Sequence, residues 1–293
     1  MTQLSGIIPP VPTPFTPQGD VDLEALAGLL ASLAPEVDGF LLLGSNGEAA
    51  FLNEQERREV VRAAREVVPE GMPLIVGTGG EATREVQQRN EDAAAAGASA
   101  VLVLPPHYFQ RAMSERLLAV HYRSVAAASP LPVLLYNIPA ATTLSLSPGL
   151  VAELAAEANI VGLKDSSGNV PALTEIMRRV PADFMVFTGN APTLLPALSL
   201  GAAGGILAVA NVAARAYRAL FDAFRAGRLE RARELQLRLN PLALAVTTGY
   251  GVPGLKAALR LQGRPAGFPR APLQDVSAEA TAELQALLAS ALD

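Results

Sequence analysis

Short apolar runs alternate with longer amphipathic stretches from the start of the chain to about residue 225. The runs begin near Ile7, Phe40, Leu74, Val101, Val133, Val161, Met185 and Ile206. They lie roughly 20 to 35 residues apart, the length of one strand plus one crossover helix. The runs at 40–43, 101–104 and 132–136 are continuous rather than alternating, as strands read when both faces of a parallel sheet are covered. Between them, Asp22 heads a segment with Leu23, Leu26, Leu30 and Leu33 on one stripe. Asn53-Glu54-Gln55-Glu56 has the form of a capping box ahead of Val60, Val61, Ala64 and Val67. Ser114 and Ser147 are expected to cap two later helices, and Gly97 and Gly201 to stop helices before the next strand. Eight strand–helix units in series close an α/β (β/α)8 TIM barrel. A doubly wound open sheet uses the same local units and is the competing fold.

Beyond residue 225 the strand signals cease. The stretches 228–245, 252–261 and 277–292 read as helices, separated by Gly251-Val252-Pro253-Gly254 and by the Gly/Pro-rich stretch 263–272. The expected organisation is a catalytic barrel over 1–225 and a C-terminal helical domain over 226–293.

Composition narrows the function. The net charge of −5 argues against nucleic acid as the main partner, because phosphate binding needs a basic face. With no cysteine, disulfides, thiolate catalysis and cysteine-ligated zinc are excluded together. The proline-rich start, MTQLSGIIPPVPTPF, lacks the charged-then-apolar layout of a signal peptide, and the apolar runs are too short to span a bilayer. The expected location is the cytoplasm. Of the 23 basic residues only Lys164 and Lys256 are lysines. An arginine stays protonated, whereas a lysine can lose its proton and act as a nucleophile, so each lysine poses its own question.

Barrel chemistry sits at the C-terminal ends of the strands. Lys164 ends the run Ile160-Val161-Gly162-Leu163, and period-2 alternation puts it on one face with Gly162, expected to leave space above it inside the barrel. A poorly hydrated amine is disfavoured as the cation and so becomes nucleophilic towards a ketone. The competing reading is a rim lysine that snorkels to solvent. Alternation turns Asp165 away from this face. Lys256 falls in a C-terminal helix and reads as structural. Tyr136, ending the fifth strand, could reach the lysine nitrogen and pass protons; otherwise it is a core aromatic. The loop Gly44-Ser45-Asn46-Gly47-Glu48 offers N–H groups and the Ser45 hydroxyl to a carboxylate, although Ser-Asn-Gly is also an ordinary turn. Gly77-Thr78-Gly79-Gly80 lacks a nucleotide-binding spacing and reads as a tight turn. His107 and His121 lack the partners of a metal site and read as rim or helix-surface residues, so neither metal nor cofactor is expected.

With these residues placed, the chain resembles the dihydrodipicolinate synthase / N-acetylneuraminate lyase family along almost its whole length. The resemblance is carried by GSNGE (44–48), YNIP (136–139), GLKDSSG (162–168), TGN (188–190) and GGILAVANV (204–212). It implies a (β/α)8 barrel with C-terminal helices, usually a homotetramer built from tight dimers, that takes pyruvate as substrate. By that resemblance Lys164 forms a Schiff base with pyruvate and Tyr136 shuttles protons. Ser45 relays protons to Tyr136, and Tyr108 completes the relay from a neighbouring subunit. The pyruvate carboxylate rests on the Ser45 and Asn46 backbone beside Gly47, and Gly189 and Ile206 line the pocket near the lysine; Asn46 and Ser166 are expected within reach of the carboxylate of a second substrate such as glyoxylate.

The synthase pattern has two threonines where Ser45 and Asn46 stand, and an arginine where Ala141 stands. The motifs look most like 4-hydroxy-2-oxoglutarate aldolase, and the YNIPAAT segment is also similar to 2-keto-3-deoxygluconate aldolases. The leading expectation is therefore cleavage of 4-hydroxy-2-oxoglutarate to pyruvate and glyoxylate. The alternatives are condensation of pyruvate with aspartate semialdehyde, a 2-keto-3-deoxygluconate-type aldolase, and a non-catalytic barrel that binds an oxo acid.

Overall fold

The computed structural model describes residues 4–292; the first three residues of the proline-rich start and Asp293 lie outside it. Eight strands form one parallel sheet: β1 (Gly6–Ile8), β2 (Phe40–Leu42), β3 (Leu74–Gly77), β4 (Ala100–Val103), β5 (Val133–Asn137), β6 (Ile160–Asp165), β7 (Met185–Thr188) and β8 (Gly204–Ile206). Neighbours in sequence pair from β2 through to β8, and β8 pairs β1. Between β1 and β2 the ring is completed by Leu41 N–H donating to Pro9 O at 3.0 Å and Val11 N–H donating to Leu41 O at 2.8 Å. The sheet is thus a closed barrel, and the doubly wound alternative is excluded.

The helices are α1 (Leu23–Leu33), α2 (Glu54–Val67), α3 (Thr83–Ala95), α4 (Glu115–Ala128), α5 (Pro139–Thr142), α6 (Pro148–Leu154), α7 (Val170–Arg179), α8 (Leu194–Ser199), α9 (Ala210–Arg225), α10 (Leu229–Leu244), α11 (Gly251–Leu261) and α12 (Ala278–Leu292). The capping residues act as their chemistry predicts. Asp22, Ser114 and Ser147 each accept a backbone N–H of the first turn, and Asn53 with Glu56 closes a reciprocal capping box. Gly97 and Gly201 follow α3 and α8 at φ +85° and +99°, where glycine is favoured.

Two apolar layers result. Ile8, Leu41, Ile75, Leu102, Leu134, Tyr136, Phe187 and Ile206 fill the barrel, while the other strand faces pack under the helices. In β6 the alternation breaks. Ile160 and Leu163 both join the outer layer, and Val161 between them faces inward. The pairing of β5 with β6 skips Val161, so β6 carries one extra residue there. That bulge resets the phase and brings Lys164 opposite Tyr136. The expectation of open space above Gly162 is corrected as well. A Cβ there would lie 2.3 Å from Met185 O, so the residue admits the backbone of β7 rather than a ligand.

After α9, α10 packs along it, and α12 covers α10 and α11. Gly251-Val252-Pro253-Gly254 does not separate helices, as expected, but forms the first turn of α11, where proline's missing N–H leaves no bond broken. A π-helical turn, Ala245–Gly249, joins α10 to it. Among the described residues no helix is long and apolar enough to cross a membrane.

Candidate active site

Register places the site. Tyr136 and Lys164 are direct partners on β5 and β6, both buried. Lys164 Nζ donates to the Tyr136 phenolic oxygen at 3.3 Å and lies 4.3 Å from the ring centroid. The phenol is 3.5 Å from Ser45 Oγ, a long contact that sets hydroxyl, phenol and amine in one row. Alternation does turn Asp165 outward. Its carboxylate accepts Asn137 Nδ2 at 2.6 Å and the Ser167 hydroxyl at 2.8 Å. Burial raises its pKa against those two hydrogen bonds. Its side chain is thereby tied up away from Lys164.

Ser45–Gly47 form a single tight helical turn after β2. Its bonds begin with Gly47 N–H to Gly44 O at 3.0 Å and Glu48 N–H to Ser45 O at 3.1 Å. The N–H groups of Ser45 and Asn46 precede them, as donors at the start of a turn do. Opposite, Gly189 leaves room for the lysine stem. A Cβ there would stand 1.9 Å from Ser166 Oγ and 2.9 Å from Lys164 Cε. Lys164, Ser166 and Gly189 are therefore packed together.

A cavity of about 510 Å³ opens over the ends of β2 to β5, lined by Gly44, Ser45, Tyr136, Ile138, Ala141 and Thr142, with Val252 and Leu273 from the C-terminal region. Ser45 and Tyr136 line it. Lys164, Asn46, Gly47, Ser166, Gly189 and Ile206 do not; Lys164 lies behind the Tyr136 phenol, and Ile206 is sealed inside the barrel cluster. Tyr108 stands apart, 77% exposed after β4 and stacked edge-to-face on Phe109 at 4.9 Å. Among the described residues no hydrogen bond joins its phenol to Ser45 or Tyr136.

The histidines diverge from one expectation. His107 is a rim residue beside Glu81. His121 is not on a helix surface; it is buried on the inner face of α4, with Nδ1 2.9 Å from the Thr83 hydroxyl, and burial lowers its pKa to about 4. Gly77–Gly80 is not the tight turn expected: Thr78 N–H still bonds Leu102 O at 3.1 Å, and Gly77 is needed because a Cβ there would meet Leu43 O at 2.1 Å.

Two supporting groups carried weak signals or none in the sequence. Arg57, buried, donates to Ala49 O at 3.0 Å and Gly77 O at 2.7 Å and ties the loop after β2 to the end of β3. Burial lowers its pKa to about 10. Lys256 pairs with Glu48 at the end of the Ser45 turn. Its being a lysine in an arginine-rich chain was the one available hint.

Residues 3–291 match the Dihydrodipicolinate synthetase family. A 4-hydroxy-tetrahydrodipicolinate synthase of Archaeoglobus fulgidus is 37% identical over 97% of both chains. A probable mitochondrial 4-hydroxy-2-oxoglutarate aldolase of Emericella nidulans is 36% identical over 98% of this chain and 95% of its own. Among solved structures, a prophage protein of the dihydrodipicolinic acid synthase family from E. coli K12, in complex with pyruvate, superposes with a TM-score of 0.92 at 34% identity, over 99% of both chains. The chain belongs to the Dihydrodipicolinate synthetase family.

Proposed function

We propose that this protein is a class I, pyruvate-dependent carbon–carbon lyase or synthase in which Lys164 forms a Schiff base with pyruvate. The single observation that carries the reading is the 3.3 Å contact between Lys164 Nζ and the Tyr136 phenol, in a buried site with the Asp165 carboxylate bonded elsewhere. The neutral amine attacks C2 of pyruvate, and the ketone oxygen becomes a carbinolamine hydroxyl. Tyr136 passes a proton to that hydroxyl, water leaves, and the C2–N bond becomes a protonated imine. The imine draws electrons from C3, so a C3–C4 bond can break to the enamine, or the enamine can add to an aldehyde. Ser45 reloads Tyr136, and the Ser45 and Asn46 N–H groups hold the carboxylate. Tyr108 from a second copy completes the relay in a homotetramer built from tight dimers. Borohydride with pyruvate should trap an adduct on Lys164, read by peptide mass spectrometry. No adduct, or one on Lys256, overturns the mechanism.

For the second substrate the relatives favour condensation with aspartate semialdehyde, since several at 32–37% identity carry the synthase name. That outranks the expectation of 4-hydroxy-2-oxoglutarate cleavage drawn from the motifs. Cleavage stays as the second reading because of Ala141, which lines the cavity and offers no donor to a distal carboxylate. The cavity's two arginines are engaged, Arg57 by carbonyls and Arg89 by Glu54 and Glu85. Measuring kcat/KM for both reactions on one preparation decides. Faster condensation selects the first reading, and faster cleavage with release of glyoxylate selects the second.

A further inference from the structure

Lys256 is fully buried in α11, hydrogen-bonded to two carbonyls and ion-paired with one carboxylate. Nζ pairs with Glu48 Oε1 at 2.5 Å, donates to Thr13 O at 2.7 Å and to Phe268 O at 2.6 Å, and lies 4.5 Å from the centroid of the Phe15 ring. The other Glu48 oxygen accepts Arg270 N–H at 2.8 Å. Glu48 sits at φ +52°, a conformation that residues with a side chain seldom adopt and that its surroundings must hold. Next to it, Gly47 O accepts the Thr13 hydroxyl at 2.7 Å. The peptide that ends the Ser45–Gly47 turn is thus held from below by Thr13 and from the side by Lys256 and Arg270.

We propose that Lys256 is a positioning residue for pyruvate: through Glu48 and Thr13 it sets the turn whose Ser45 and Asn46 N–H groups receive the carboxylate. The inference rests on the Schiff-base reading above. It also accounts for the second lysine of an arginine-rich chain. Three contacts of 2.5–2.7 Å around one nitrogen suit a compact ammonium, whereas a planar guanidinium spreads its donors over a wider fork. The C-terminal helices then act on ligand affinity rather than only covering the barrel.

The test uses the full chain with Glu48 and Lys256 replaced together, Glu48→Gln with Lys256→Met, so that neither charge is left buried alone. The readouts are the pyruvate concentration that half-saturates borohydride trapping on Lys164, and Tm. A rise in that concentration of about ten-fold, the worth of one charge-assisted hydrogen bond, supports the proposal, provided the adduct still forms on Lys164 at saturation. A lowered Tm with half-saturation at the wild-type value overturns it. Thr13→Val removes only the hydroxyl that holds Gly47 O, so it carries the test if the double variant does not fold. It should raise half-saturation about three-fold, and Thr13→Ser should restore it. Wild-type behaviour of Thr13→Val overturns the proposal. Absence of any adduct in the wild type would instead overturn the Schiff-base reading itself.

Discussion

The chain contains two lysines, both buried, in opposite surroundings. Lys164 is 3% exposed, its one side-chain hydrogen bond goes to a phenol, and the neighbouring carboxylate of Asp165 is turned away. Lys256 is 0% exposed, faces a carboxylate and two carbonyls, and burial lowers its pKa to about 8 against the pull of Glu48. An amine bonded only to a phenol has donors left for a ligand, and one gripped by a carboxylate and two carbonyls holds structure. Burial alone would not have told them apart; their partners do.

The largest expected effect breaks the comparison outright. Lys164→Ala should abolish the borohydride adduct and lower turnover by about 10⁴-fold or more, as removal of a member of a catalytic unit does. An adduct that persisted, on Lys256, would reverse the assignment of the two amines. Tyr136→Phe should lower turnover by roughly 10²–10⁴-fold with the fold intact by circular dichroism, because it removes the hydroxyl proposed to carry the proton and keeps the ring. Tyr108→Phe sharpens the same point. A loss of similar size would place a second copy's phenol in the relay, and wild-type rates would remove it.

For Lys256 the expected signature is stability and pyruvate affinity rather than the covalent step. Lys256→Met alone leaves Glu48 buried without its partner and should cost about 3–5 kcal/mol in urea unfolding, while Lys164 still forms its adduct at saturating pyruvate. A third buried base, His121, gives the smallest effect. Its pKa in the fold, about 4, lies below the ordinary imidazole value of 6.5. The unfolded chain therefore takes up a proton that the folded one refuses, and stability present above pH 6.5 is lost as pH falls towards 4. The full loss is about 3 kcal/mol, and a His121→Leu variant should lack that slope between those pH values. Parallel slopes for the two proteins would show that His121 does not titrate this way.

Much of this was legible along the chain because its causes are local. Asp22, Asn53, Ser114 and Ser147 cap their helices as their side chains dictate, and the apolar runs fall at the eight strands. The proline in Gly251–Gly254 misled, since a helix tolerates proline in its first turn and a loop favours it equally. His121 misled because a polar residue on an amphipathic helix can pair with a hydroxyl on its neighbour, here Thr83 of α3.

What the sequence by itself determined is the series of eight strand–helix units and the lysine at the end of the sixth strand, because backbone periodicity and capping act over a few residues. Only the tertiary structure decided what each lysine meets. The Val161 bulge sets the phase that aims Lys164 at Tyr136, and it arises from pairing with β5 rather than from any signal within β6. Lys256 reaches Glu48 and Thr13 only after the barrel has closed and α11 has docked on it, since the three come from distant parts of the chain. A short-range pattern can place a charged group at a strand end or in a helix. Which partner neutralises that group, and so whether it reacts or holds, depends on contacts that exist only in the folded chain.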